Sequence, residues 1–188
     1  MCSSDLYGNK LLLSHDPINP EKNYCELEDY LAKYNHKMII FNLKEAGYEK
    51  RVIDLAQKYN IDKYFLLDVE FPYFYKATRQ DGFKKIAVRF SEAEPIEFLE
   101  SQVSSQGDPM CDWVWIDTNT SLPLKQSVIK KIKRFSSCVV CPERWGRSSD
   151  IETYINVMRS LNFIPDAVMT SEEFAPAWEK LQEFNHSL

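Results

Sequence analysis

Glycine is scarce, at five in 188 residues, and neither GxGxxG nor GxxxxGK occurs. The chain therefore lacks the glycine-rich turn that cradles a dinucleotide or a nucleoside triphosphate. No apolar run approaches the roughly 20 residues of a membrane-spanning helix. The start carries no basic segment followed by an apolar core, so neither a membrane span nor secretion is expected, and the cytoplasm is the expected compartment. Disulfides are not expected either. The five cysteines, Cys2, Cys25, Cys111, Cys138 and Cys141, are odd in number and scattered, which suits reduced thiols. The one CxxC, from Cys138 to Cys141, lies in an apolar strand-like run with no second pair and no nearby histidine. Its thiols read as small buried hydrophobes rather than zinc ligands or a redox pair. A cationic cluster dense enough for nucleic acid is also missing. The net charge is −5, and KKIKR at 130–134 reads as the solvated face of a helix.

What is present is a steady alternation of short apolar runs and amphipathic stretches. Strands are expected at 11–13 (LLL), 38–43 (MIIFNL), 63–69 (KYFLLDV), 85–90 (KIAVRF), 113–117 (WVWID), 137–142 (SCVVCP) and 167–170 (AVMT). Helices are expected at 26–34, 48–59, 72–79, 94–102, 123–135, 150–161 and from 171 onward. Pro17 stops the first strand, Pro123 opens a helix, and Asp150 caps the next. Continuously apolar strands separated by helices predict a parallel sheet covered on both faces, hence an α/β fold. No linker, repeat or low-complexity tract appears, so residues 1–188 are expected to form a single domain. An open doubly wound sheet and a closed (β/α)8 TIM-type barrel compete. The open sheet normally carries the glycine-rich turn that is missing here, so the barrel is preferred.

Every expected strand ends in polar residues, and a barrel assembles its active site from that C-terminal end of its strands. His15 and Asp16 follow the leucine run, making His15 a candidate proton shuttle. Asn42 and Lys44, two apart, project to the same side of their strand. Arg89 interrupts an apolar strand, and Arg147 closes ERWGR at 143–147, a candidate anion clamp. Asp117, Thr118 and Asn119 form either a ligand-binding rim or an Asx turn, with the turn favoured. Trp113 and Trp115 share one strand face and are expected in the layer between sheet and helices.

SHDP after a leucine run, NLK at 42–44 about 27 residues later, and DAVMTS at 166–171 resemble the glycerophosphodiester phosphodiesterases of the phospholipase-C-like TIM-barrel superfamily. The resemblance covers nearly the whole chain. It implies a hydrolase of lipid metabolism acting on a glycerophosphodiester or another small phosphorylated molecule. By the same resemblance His15 is the general acid for the leaving alcohol, Lys44 holds the phosphate, and Asp5 is the aspartate of a Glu-x-Asp pair that binds Mg²⁺ or Ca²⁺. The chain also departs from that pattern. Ser3 stands where the pair has its glutamate, Asn42 where a later glutamate completes the metal site, and the second catalytic histidine has no counterpart. The leucine run becomes the outer arm of an N-terminal hairpin, followed by about six barrel strands, the third to the eighth. An incomplete barrel lacking its first two strands is thus expected, with an open side through which copies could self-associate.

Phosphodiester hydrolysis needs a base, an acid and positive charge on the phosphoryl oxygens. A positioned acid or base supplies about 10²–10⁴-fold, and a bound metal several kcal/mol more. One acid and one cation are retained, and a single carboxylate holds a hard cation poorly. Three readings follow: a glycerophosphodiesterase, active or descended from one; a catalytically silent barrel binding a phosphorylated ligand through Lys44, Arg89 and Arg147; and a fragment that works beside another chain.

Overall fold

The computed structural model describes residues 2–7 and 10–183, with side chains from residue 10 to residue 181. The chain divides into two compact units, Met1–Ala87 and Val88–Leu188. No linker marks the border, which falls inside a strand.

In the first unit, β1 (Cys2–Tyr7) and β2 (Lys10–Leu13) form an antiparallel hairpin, with Asp5 opposite Leu12 and Ser4 opposite Leu13. β1 then pairs in parallel with β3 (Ile39–Leu43), and β3 in parallel with β4 (Tyr64–Leu67), giving the order β2-β1-β3-β4. The leucine run is indeed the outer arm. β1 is the inner arm of the hairpin that the resemblance implied, although CSSDLY has neither an apolar run nor strict alternation; pairing on both edges holds it. All four residues of β4 are buried, as a strand covered on both faces requires. Helices α1 (Leu27–Leu31), α2 (Glu49–Lys58) and α3 (Phe71–Arg79) fill the connections. In α2, Val52 and Ala56, one turn apart, are completely buried, which fixes the inward stripe of the helix. Pro72 sits in the first turn of α3, where its missing N–H costs nothing.

The second unit has the order β5-β6-β7-β8. Its strands are β5 (Ala87–Phe90), β6 (Trp113–Ile116), β7 (Ser136–Val140) and β8 (Ala167–Met169), joined through α4 (Ile96–Glu100), α5 (Gln126–Ile132) and α6 (Ile151–Ser160) and followed by α7 (Ala175–Glu183). β6 with β7 and β7 with β8 are parallel. Val114, Ile116 and Val139 have no exposed surface, and Cys138 and Cys141 lie beside them in the core. α5 begins at Gln126 rather than at Pro123, because Leu124 is buried and anchors the segment ahead of the helix. Asp150 stands at the entrance of α6 without capping it by its side chain. Its carboxylate accepts from Arg147 instead. The chain is thus a mixed α/β protein with parallel sheets. No helix among the described residues is long and apolar enough to cross a membrane.

The parallel register of β7 and β8 is pinned at its start. The Ser137 amide and hydroxyl both donate to Asp166 Oδ2, at 2.8 and 3.3 Å, and Ser137 is buried. Asp166→Ala should therefore destabilise the protein by about 1–2 kcal/mol by orphaning buried donors. Asp166→Asn, which keeps an acceptor, should cost less. Urea unfolding of the three proteins checks this, and equal midpoints for both variants would show that Asp166 does not hold the register.

Candidate functional site

In the first unit the functional candidates gather at the ends of β3 and β4. Asn42 is buried on β3, and Lys44 follows its last residue. β3 and β4 are in register at Asn42 and Leu67, so Asp68, next after Leu67, faces the same end. Lys44 Nζ stands 3.9 Å from Asp68 Oδ2, with side-chain exposures of 34% and 24%. Asp68 holds a left-handed backbone, φ 62°, a conformation that non-glycine residues adopt chiefly at turns and functional sites. The loop after β3 is braced: Gly47 supplies a φ of 87° that side chains rarely adopt, and its N–H donates to buried Glu49 at 3.1 Å. His15 is 72% exposed, with Nδ1 2.9 Å from Asp16 Oδ1. Leu13 is level with Ser4, and Ser4 with Leu43. His15 therefore leaves the sheet two residues past a position two strands from β3, about 10 Å across at the usual strand spacing. Asp5 lies one residue beyond the Ser4–Leu43 pair, and its side chain lies outside the described ones.

In the second unit the polar strand ends clasp one another. Arg89 of β5 donates through Nη1 to Asp117 Oδ2, at the end of β6. Trp115, on the same strand face, donates its indole N–H to Asp117 Oδ1 at 3.0 Å. Buried Thr118 donates its hydroxyl to the Val140 carbonyl of β7 at 2.9 Å. Arg147 reaches back to the Thr118 carbonyl through Nη2, while its Nη1 donates to Asp150 at 2.8 Å and to the Tyr154 hydroxyl at 2.7 Å. Thr170, after β8, donates to Glu143, after β7. Glu92 accepts from the Thr120 amide and hydroxyl. Arg89 and Arg147, expected to face a ligand, are thereby engaged by protein groups. Asp117 is no Asx turn, since its carboxylate is taken by Arg89 and Trp115.

These pairings set the electrostatics. Burial pushes the Asp117 carboxyl above the usual aspartate range, and the Arg89 guanidinium and the Trp115 indole offset this only in part. Burial also acts on Glu92, but hydrogen bonds from its own amide and from Thr120 and Ser121 outweigh it, leaving Glu92 below the usual range. Burial pushes the Cys138 thiol up to about 12, with Asp117 adding to the effect, and Cys141 is also raised by burial. Both are core thiols, far from the thiolate form a nucleophile or metal ligand needs.

Among the described residues no group of three or more His, Cys, Asp or Glu side chains is arranged to hold a metal ion. Asn42, Lys44 and Asp68, which come together at the ends of β3 and β4, supply an amide, an ammonium and a carboxylate. That donor set does not fit a resident Mg²⁺ or Ca²⁺, which binds through several anionic oxygens. No protein-family model matches the chain, and no curated protein matches it.

Trp115, Thr118, Asp150 and Tyr154 were not singled out from the sequence as partners of these sites. The Trp-x-Asp spacing of 115 and 117 does signal a shared strand face. Asp150 and Tyr154, three and seven residues after Arg147, are local partners that the spacing could have suggested, whereas the pairings of Thr118 with Val140 and Arg147 depend on sheet register and carry no local signal.

Arg89→Met should leave the buried Asp117 carboxylate short of its charge partner, costing about 2–3 kcal/mol at neutral pH, a figure reduced because Arg89 is partly exposed. The variant's Asp117 is raised further above its unfolded value, so the folded state binds more protons than the unfolded one, and stability recovers as pH falls. Adding Asp117→Asn should restore most of the loss at neutral pH. A loss equal at pH 5 and pH 7, with no rescue, would contradict this.

Proposed function

We propose that the chain is a phosphate-ester-binding protein built as an incomplete (β/α)8-type barrel, akin to glycerophosphodiester phosphodiesterases but without effective metal-assisted turnover. The strand orders support the barrel reading. In each unit successive strands add in one direction, β1-β3-β4 and β5-β6-β7-β8. Right-handed crossovers added in one direction put the helices on one face, as in a barrel, whereas a doubly wound sheet reverses its order.

The observation that carries the functional reading is the state of the three candidate cations. Arg89 and Arg147 are hydrogen-bonded to protein acceptors. Lys44 stands at a strand end with its ammonium 3.9 Å from Asp68, beyond hydrogen-bond distance, so its three N–H donors are available to an anion. A phosphate monoester would pair with Lys44 against the opposing charge of Asp68, which argues for weak binding. His15, exposed and hydrogen-bonded to Asp16, is the residue that would protonate a leaving alcohol. Among the described residues no cluster that could hold a metal ion and no second histidine is placed beside it.

Calorimetric titration with glycerol 3-phosphate should show weak saturable binding that falls at least fivefold in Lys44→Ala. Hydrolysis of bis(p-nitrophenyl) phosphate should not rise with Mg²⁺ or Ca²⁺. Unchanged binding in Lys44→Ala would overturn the site. Metal-stimulated turnover abolished by His15→Ala would replace the silent reading with an active phosphodiesterase.

A further inference from the structure

Lys130, Lys133 and Arg134 of the basic run at 130–134 are exposed, as a solvated face requires, and the run also borders a cleft. Between α4 and the last turn of α5 there is a cleft of about 370 Å³. Its floor is apolar: Leu99 and Phe135 are buried, and Val103 is half-buried. Its rim is cationic, formed by Lys130, Lys131 and Arg134, with Glu100 as the one acidic lining residue. Glu100 is already paired with Lys131 at 2.9 Å. Lys130, in the last turn of α5, and Arg134, two residues past the end of that helix, are exposed and have no side-chain hydrogen bond or ion pair among the described residues. Lys133, between them in sequence, turns away and donates to the Asn162 carbonyl at 3.1 Å.

The helix dipole explains in part why Lys130 and Lys131 stand in the last turn of α5. The dipole does not explain an apolar floor beneath them. On a chain of net charge −5, three cations against one carboxylate make this cleft locally positive, and its volume lies at the small end of ligand pockets. α4 leads toward the start of β6 and α5 into the start of β7, so the cleft lies at the opposite end of these strands from the Arg89–Asp117 clasp.

We propose that this cleft binds a small amphipathic anion, a short alkyl chain seated on Leu99, Val103 and Phe135 with a carboxylate or phosphate head held by Lys130 and Arg134. The charge pattern selects the sign of the head, and the floor selects the tail. Both are needed, since exposed cations alone hold a lone anion weakly.

Two-dimensional ¹⁵N NMR titrations with octanoate, octyl phosphate, inorganic phosphate and octyltrimethylammonium test the proposal. Octanoate and octyl phosphate should shift the amides around Leu99, Val103 and Phe135 saturably, while inorganic phosphate and the cationic amphiphile should leave them unmoved. Lys130→Glu/Arg134→Glu, changed only at exposed positions, should weaken octanoate binding at least tenfold, and Lys44→Ala should leave it unchanged. The proposal is overturned if the cationic amphiphile shifts the same amides equally, if inorganic phosphate alone does so, or if the double variant binds octanoate as the parent does.

Discussion

A carboxylate taken out of water must find its charge and its hydrogen bonds within the protein, and Asp117 imposes that condition on the second unit. It lies at the end of β6, 6% exposed, and its two oxygens are met from β5 by Arg89 and from its own strand by Trp115. The next residue, Thr118, carries the connection across to β7. Arg147 returns it to the same strand end, and Glu143 with Thr170 extends it to β8. Parallel strands need such ties at their ends, because the ladder stops there and the backbone turns away into loops. The polar residues that end every strand are thus first an answer to the burial of the sheet, and only where one escapes its neighbours does it become available to a ligand.

That distinction decides what could be read from the sequence. The apolar runs from 38–43 to 167–170 all became strands, because continuous burial on two faces leaves a strong local imprint in composition. Residues 2–7 left no such imprint: CSSDLY becomes a strand through its partners β2 and β3, and partners are tertiary. Likewise Pro123 signals a helix start, yet buried Leu124 delays α5 to Gln126. At the candidate site, the identity and strand-end placement of Lys44, Arg89 and Arg147 were legible. Whether each faced solvent or a protein acceptor was not, since Arg147 meets Thr118 from 29 positions away. The left-handed backbone of Asp68 had no sequence signal, because aspartate occupies that region only where its surroundings impose it.

The strand ends of the two units differ in how their charges are met. In the second, cations and carboxylates neutralise each other across the strand ends, and the two cysteines of the CxxC are buried core thiols held protonated. In the first, the ammonium of Lys44 at the end of β3 stands 3.9 Å from the Asp68 carboxylate, on a strand that also carries buried Asn42. On the function proposed above, Asn42 and Ser3 in place of carboxylates would leave no resident cation to drive hydrolysis and less negative charge to repel a phosphate.

The most direct measurement is a ¹⁵N NMR map of glycerol 3-phosphate on the intact chain. The account predicts saturable shifts confined to the amides around residues 43–47 and 68–70, with those around Arg89, Asp117 and Arg147 unmoved. Shifts centred on Arg89 and Arg147 instead would contradict it, because they would mean that the strand-end clasps of the second unit open to an anion while Lys44 does not receive one.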